Sequence, residues 1–155
     1  MSASNPRIDA RLFHSERPTL AAALIEQGRT QLGSLDAVAE RCGVSPQYLR
    51  MLLNHQRKPS YAMQVCLEQL TAPTSERFVE VDAVKHYRAH PSHVLAHITR
   101  AESVCPYGSS LAKVCGVSRQ YIGALKKGQR SIRYPFQVLL EAVYADRSQI
   151  DGSGD

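Results

Sequence analysis

The sequence predicts an all-α protein in which one small helical unit occurs twice. The first observation is a seven-residue run at residues 42–48 that returns 73 positions later at residues 115–121, with Pro46 against Arg119 as the only difference. The second is that residues 18–70 and 91–143 align around these runs without a gap. The third is the composition of each run, in which glycine and then serine separate two stretches of helical periodicity.

The repeat extends well beyond the seven-residue run. An ungapped match of this length favours duplication of a folded unit. It predicts an arrangement of a flexible arm at 1–17, a first domain at 18–72, a linker at 73–90, a second domain at 91–150 and a disordered tail at 151–155. Identical residues stand at these aligned positions: 18 and 91, 23 and 96, 25 and 98, 39 and 112, 52 and 125, 56 and 129, 57 and 130, 61 and 134, 64 and 137, 65 and 138, 67 and 140, 68 and 141.

Four short helices are predicted in the first domain. Pro18 suits a first helical turn, and a second helix is expected over 35–42, with Gly43 supplying the left-handed conformation that a sharp turn needs. Ser45 is expected to cap the third helix, which begins at Pro46, and the fourth covers about 61–70. The second domain repeats the scheme over 93–104, 109–115, 119–126 and 135–145, so each domain has four to five short helices.

The glycine after the third helix of the second domain has no glycine counterpart in the first. Gly128 closes the third helix there, whereas His55 takes the same place in the first domain and is less suited to a left-handed cap. The linker is ambiguous, because residues 76–90 fit either a short strand or a short helix that packs the two domains together.

Charge and composition limit the classes of function. The net charge is +5, and the second domain holds eight Lys and Arg against three Asp and Glu, while the first holds five against four. A basic balance favours anionic partners. No apolar run is long enough for a secretory signal or a membrane span, and four cysteines without an export signal predict reduced thiols in a cytoplasm. No catalytic arrangement or phosphate-binding loop is evident, so we expect neither an enzyme nor a cofactor.

The two turn regions resemble the Cro/CI-type, lambda-repressor-like helix-turn-helix family of bacterial and phage regulators. The resemblance is carried by Ala39, Gly43-Val44-Ser45, Gln47 and Leu52, and by the matching Ala112, Gly116-Val117-Ser118, Gln120 and Leu125 with Gly128. It covers about two thirds of the chain. It implies two tandem domains of that fold, with the third helix of each lying in the major groove of DNA.

The same resemblance implies which side chains reach DNA. The expected base contacts are Pro46, Gln47, Arg50, Met51, Arg119, Gln120, Gly123 and Ala124. The expected phosphate contacts are Ser45, Tyr48, Arg57, Lys58, Ser118, Tyr121, Lys126, Lys127, Arg130 and Arg133.

The two predicted reading helices are unequal in chemistry. A glutamine amide can donate to and accept from adenine at once, and Arg119 can pair with guanine in the same way. Pro46 cannot hydrogen-bond a base and Met51 offers only apolar contact, so the first domain is the weaker reader. The alternative is that the glutamines and the loop cations are ordinary solvated surface residues.

The function that these expectations define is a sequence-specific, double-stranded-DNA-binding transcriptional regulator or repressor of bacterial or phage type, located in the cytoplasm on the nucleoid. It would act as a monomeric pseudo-dimer or as a homodimer, without a membrane. The alternative is a protein-interaction module, such as an antiactivator or antitoxin, whose first domain binds a protein partner.

Three further residue groups have more than one interpretation. Cys42 and Cys115 precede the turn glycines and suit core packing, with a redox switch as the alternative. His86, His90, His93 and His97 recur at helical spacing, but Pro91 interrupts them and no cysteine or carboxylate completes a metal site. Tyr48 and Tyr121 suit either a phosphate contact or the core.

Overall fold

A computed structural model of the chain describes residues 8–12, 18–85, 94–105 and 110–153. These ranges contain helices and irregular segments and no strand, so the predicted all-α class is confirmed. None of the described helices is both long and apolar enough to cross a membrane. The α-helices are α1 (Pro18–Leu32), α2 (Leu35–Cys42), α3 (Pro46–Leu53), α4 (Tyr61–Thr71), α5 (Val94–Ser103), α6 (Leu111–Cys115), α7 (Arg119–Lys126) and α8 (Tyr134–Ser153), and short 3-10 turns lie at Ala10–Leu12 and Thr74–Glu76.

The helix boundaries of the first half, residues 18–72, follow its capping residues. The Ser34 hydroxyl accepts a hydrogen bond from the backbone N–H of Ala37 at the start of α2, and the Ser60 hydroxyl does the same for Met63 at the start of α4. Gly43 ends α2 with φ of 67°. These devices satisfy backbone donors that a helix start would otherwise leave unpaired.

The second half, residues 91–150, differs from the prediction mainly at its ends. Ser110 caps α6, and α7 has the predicted bounds. The last helix begins at Tyr134 and continues to Ser153, three residues into the predicted tail. After α3 and α7, His55 and Gly128 both have positive φ, 60° and 73° respectively, so the histidine adopts the left-handed conformation although it is less suited to it than glycine.

The core is continuous across both halves. Ten of the eleven residues of α4 are buried, and among the described helices α4 and α8 make the most extensive contact. A helix buried on nearly every side must lie at the centre of the fold rather than on its surface. The largest fully buried apolar side chains are Ile25, Leu49, Leu52, Met63 and Leu67 in the first half, and Ile98, Leu125, Leu139 and Leu140 in the second.

Two short segments cross between the halves at positions 73 residues apart. The backbone N–H of Asp9 donates to the Tyr61 hydroxyl at 2.9 Å, and the N–H of Asp82 donates to the Tyr134 hydroxyl at 2.9 Å. Each segment also lies against the turn glycine of the half that does not contain its tyrosine. A Cβ at Gly43 would stand 2.9 Å from Cβ of Ala83, and one at Gly116 would stand 2.9 Å from Cβ of Ala10.

These crossing segments lie within the predicted arm and linker. Ile8 and Asp9 are buried, so this part of the arm is packed against the rest of the chain. In the linker, residues 77–82 are irregular and 83–85 are helical, with no strand over 76–85. The Gln69 side-chain oxygen accepts hydrogen bonds from the N–H groups of Phe78 and Val79, which fixes the start of this segment on α4.

Candidate nucleic-acid interface

The two predicted turn motifs have the same local geometry. In the first half, Gly43 is left-handed and the Ser45 hydroxyl accepts from the N–H of Tyr48 at 3.1 Å. In the second, Gly116 has φ of 71° and the Ser118 hydroxyl accepts from the N–H of Tyr121 at 3.0 Å. The glycine permits the turn and the serine starts the next helix, so α2 and α3, like α6 and α7, are consecutive helices joined by a short turn.

The helices α3 and α7 each bury one face and expose four of the eight residues predicted to contact bases. Leu49 and Leu52 of α3 are buried, as are Ile122 and Leu125 of α7. Because apolar residues at this spacing fix the inner face, the remaining positions point outward. Gln47, Arg50, Arg119 and Gln120 are exposed, while Pro46, Met51, Gly123 and Ala124 are partly buried.

Cations surround both reading helices. The guanidinium of Arg57 lies over the ring of Tyr48, and that of Arg130 lies over the ring of Tyr121, each 5.7 Å from the ring centroid. A guanidinium held over an aromatic face is positioned without losing its charge. The predicted phosphate contacts that are exposed are Ser45, Arg57, Lys58, Ser118, Lys126, Lys127, Arg130 and Arg133.

One predicted phosphate contact has another partner. The Lys126 ammonium lies 2.7 Å from a carboxylate oxygen of Glu102 on α5. Both side chains are more than a third exposed, so the pair is weak, but it offsets the charge of Lys126. Lys126 is therefore less available for a phosphate than Lys127 beside it.

Tyr121 packs against the core and keeps part of its surface exposed. Its ring packs edge to face on Phe136, with centroids 5.3 Å apart, while the residue stays partly exposed. Burial raises the pKa of Tyr121, and the charges of Arg130 and Arg133 only partly oppose this. The phenol therefore stays protonated and can donate a hydrogen bond near neutral pH.

The two turns border a common cleft of about 570 Å³, here called the inter-half cleft. Ser45 and Tyr48 line it from the first half, and Val117, Tyr121 and Arg133 line it from the second. The first turns of α4 and α8 complete the wall through Met63 and Phe136. The motif comparison did not predict Met63, Phe136 or the cleft itself, because their role depends on how the halves pack.

One residue of this cleft, Arg133, stands at a position where the two halves differ in sequence. Arg133 aligns with Ser60, the capping residue of α4, and so places a cation where the first half has a hydroxyl. Differences between otherwise matching units could therefore have indicated the cleft before its geometry was known.

The cysteines and histidines add little to this site. Cys42, Cys66 and Cys115 are buried, as core packing predicted for Cys42 and Cys115, and Cys105 is partly buried. His86, His90 and His93 lie outside the described residues, and His97 is partly buried. Over the ranges that the structure describes, no group of His, Cys, Asp and Glu side chains is arranged to hold a metal ion.

Comparison of the chain with protein-family models, with curated proteins and with solved structures finds no match. The class that the fold defines is an all-α protein in which two pairs of helices are joined by similar glycine- and serine-containing turns.

Proposed function

We propose that the protein is a sequence-specific, double-stranded-DNA-binding transcriptional regulator of bacterial or phage and mobile-element type. The observation that carries this proposal is the exposure of Gln47 and Gln120 at the same place on two serine-capped helices. In this interpretation α3 and α7 each enter a major groove by their first turns.

The chemistry of the exposed residues supports unequal reading by the two helices. A glutamine at either helix can form paired hydrogen bonds with adenine, and exposed Arg119 can do so with guanine. The first helix has Pro46 in the place of Arg119 and so lacks that donor. The second half, where most of the basic surplus lies, is accordingly the main reader.

The loop cations support backbone binding. Arg57, Lys58, Lys127, Arg130 and Arg133 are exposed, and such groups neutralise phosphates and fix the register of a protein on DNA without reading sequence. When these cations bind phosphates, the counterions condensed on the DNA are released, so the affinity for DNA should fall steeply as the salt concentration is raised.

The close packing of α4 on α8 favours a single chain as the unit that binds DNA. Because both reading helices belong to one core, a monomer would act as a pseudo-dimer and read a two-part site of fixed spacing. Inserting one or two base pairs between the parts should then weaken binding, since the halves cannot move apart to follow them. A homodimer would instead select a four-part site.

Selection of bound duplex from a random pool tests the proposal directly, followed by affinity measurements on the selected site. Arg119→Ala and Gln120→Ala should each weaken specific binding by about 1–3 kcal/mol and relax one base preference. Arg29→Ala is the matched control, because it removes an exposed cation from α1 that pairs with Glu26. Recovery of no enriched motif, or equal loss in all three variants, would contradict the proposal.

A protein-interaction module is the second candidate, and one feature of the first half favours it. Met51 is partly exposed where the second half has Ala124, and an adaptable thioether suits a protein partner better than a base edge. A module of this kind would show almost no salt-dependent binding to random duplex, which separates the two candidates.

A further inference from the structure

The inter-half cleft has the dimensions of a small-molecule site. Its volume of about 570 Å³ falls within the range of about 300–1,000 Å³ that ligand pockets occupy. It lies where the first turns of α3, α4 and α8 converge, and both halves contribute to its wall. A ligand there would contact both halves at once.

The walls of the cleft combine apolar surface with cations. Val44 and Val117 are partly exposed and supply apolar surface, and the partly exposed rings of Tyr48 and Tyr121 flank it. Met63 and Phe136 also line the cleft, but they are only 1% and 4% exposed and offer a ligand little surface. The apolar surface of the cleft favours an aromatic or aliphatic ligand body over a bare inorganic ion.

The charge of the cleft has one sign. Arg57 and Arg133 are its charged lining residues, one from each half, and no lining residue is acidic. Both are exposed, and within the described ranges neither guanidinium has a carboxylate partner. The Ser45 and Ser60 hydroxyls also line it; each accepts a capping hydrogen bond and keeps its own proton to donate.

We propose that the inter-half cleft binds a small organic anion, an aromatic or short-chain carboxylate or sulfonate, and that this ligand excludes DNA. The acid group would be held by Arg57 and Arg133, and the apolar body would lie against Val117 and the ring of Tyr121. The exclusion of DNA rests on the proposed function, in which the same two arginines contact phosphates. By linkage, the ligand and the duplex would weaken each other by the same factor.

The fluorescent probe anilinonaphthalene sulfonate tests the site, because it joins one anionic group to an aromatic body. The full chain should bind it saturably with a stoichiometry of one. The double variant Arg57→Glu with Arg133→Glu should bind it at least roughly tenfold more weakly, since charge-assisted hydrogen bonds are lost and repulsion is introduced. The matched control is Lys58→Glu with Lys127→Glu, which makes the same change of charge at exposed residues outside the cleft lining.

A second measurement distinguishes probe binding in the cleft from non-specific probe binding to a loosened core. All variants should keep cooperative unfolding and near-ultraviolet circular dichroism, which a molten state would lose. Equal loss of probe binding in both double variants, or binding without saturation, would overturn the site. So would an unchanged affinity in the Arg57 and Arg133 variant.

Competition with the selected duplex then tests the exclusion of DNA. The apparent duplex affinity should fall as the probe fills its site, in proportion to occupancy. If the duplex binds and the probe does not, the cleft proposal fails while the proposed function stands. If the probe binds and no duplex does, the ligand site stands and the DNA function fails. If both bind without affecting each other, the exclusion is refuted.

Discussion

The hydroxyl oxygens of Tyr61 and Tyr134 accept backbone hydrogen bonds of the same length, 2.9 Å, from Asp9 and Asp82. The two tyrosines stand 73 positions apart, as do the two aspartates. Each bond attaches a short segment to the first turn of a central helix, α4 or α8. The segments continue across the molecule to the turn glycines of the opposite halves, so the bonds belong to the contact between halves.

Removing either hydroxyl should lower stability. Tyr61→Phe leaves the buried N–H of Asp9 without this acceptor, and we expect a loss of about 1–3 kcal/mol in the free energy of unfolding. Tyr134→Phe should cost less, because Asp82 is only partly buried. Urea unfolding measures both, with Tyr144→Phe as a partly exposed control. Unchanged midpoints for Tyr61→Phe and Tyr134→Phe would show that the segments do not contribute to folding.

Substitution of the turn glycines separates the cost of the left-handed backbone conformation from the cost of a steric clash at the new Cβ. All three turn glycines have positive φ. In Gly43→Ala and Gly116→Ala the new Cβ would also stand 2.9 Å from the Cβ of another residue, whereas the new Cβ of Gly128→Ala would have no such atom within 4 Å. The left-handed conformation alone costs about 1–2 kcal/mol. The first two variants should therefore lose more stability than Gly128→Ala.

A double-mutant cycle checks the origin of that excess. Ala83→Gly should recover part of the loss in Gly43→Ala, because it removes the opposing Cβ. The same change should recover none of the loss in Gly116→Ala, whose neighbour is Ala10. Recovery in both backgrounds would contradict the assignment of each glycine to its own partner.

Breaking the buried ion pair between Asp9 and Arg147 should cause a large loss in the free energy of unfolding. Their side chains are 7% and 4% exposed and 3.1 Å apart. Asp9→Asn leaves the guanidinium buried without its counter-charge and should cost about 3–5 kcal/mol. Asp82→Asn is the matched control. Its contact with Arg41 is 3.9 Å long and both side chains are near 30% exposed, so we expect a loss of about 1 kcal/mol or less.

Asp9 also makes the stability depend on pH. Burial by itself raises the pKa of Asp9, but the hydrogen bonds and charges of Arg11 and Arg147 outweigh it, so the pKa lies below its ordinary value. The contribution of Asp9 is thus complete above the ordinary carboxyl pKa of about 3.9 and is lost as the pH falls below it.

Unfolding free energies measured from neutral pH downward should fall in the parent chain and fall less in Asp9→Asn. Glu68, whose pKa is raised by burial, acts in the opposite sense in both proteins and cancels in the comparison. Parallel curves for the two proteins would refute the assignment.

Thiol reactivity should follow burial. Cys42 and Cys66 are fully buried, and the hydrogen bond of the Cys66 thiol to Cys42, together with burial, raises the pKa of that thiol. Burial also raises the pKa of Cys115. Iodoacetamide should therefore label partly buried Cys105 first, with the other three reacting only on unfolding. Mass spectrometry identifies the labelled residue, and Cys105→Ser should remove the early reaction. Early labelling of Cys42 would instead favour a redox role.

The helices and turns were predictable because their signals are local. Gly43 and Ser45, with their counterparts, set the ends of four helices through backbone conformation and capping, which depend on neighbours in sequence. The bounds of α7 were predicted to the residue. The crossing segments were not predicted, because residues 8–10 and 81–83 share only an aspartate and an alanine and act largely through backbone groups.

The candidate site was predictable in part for the same reason. The exposure of Gln47 and Gln120 follows from helical periodicity alone. The pairing of Lys126 with Glu102, and the joining of both turns in one cleft, depend on packing between distant elements. Whether these residues bind DNA stays a prediction.

The crossing segments also bear on how folding responds to dilution. Each segment is held by the tyrosine of the half that follows it in the chain and packs on the turn glycine of the other half. A chain with a single half could form these contacts only with a second molecule, and its stability would then depend on protein concentration. Two halves in one chain remove that dependence. They also leave the two turns free to differ in sequence, as Pro46 and Arg119 do, without altering a shared subunit.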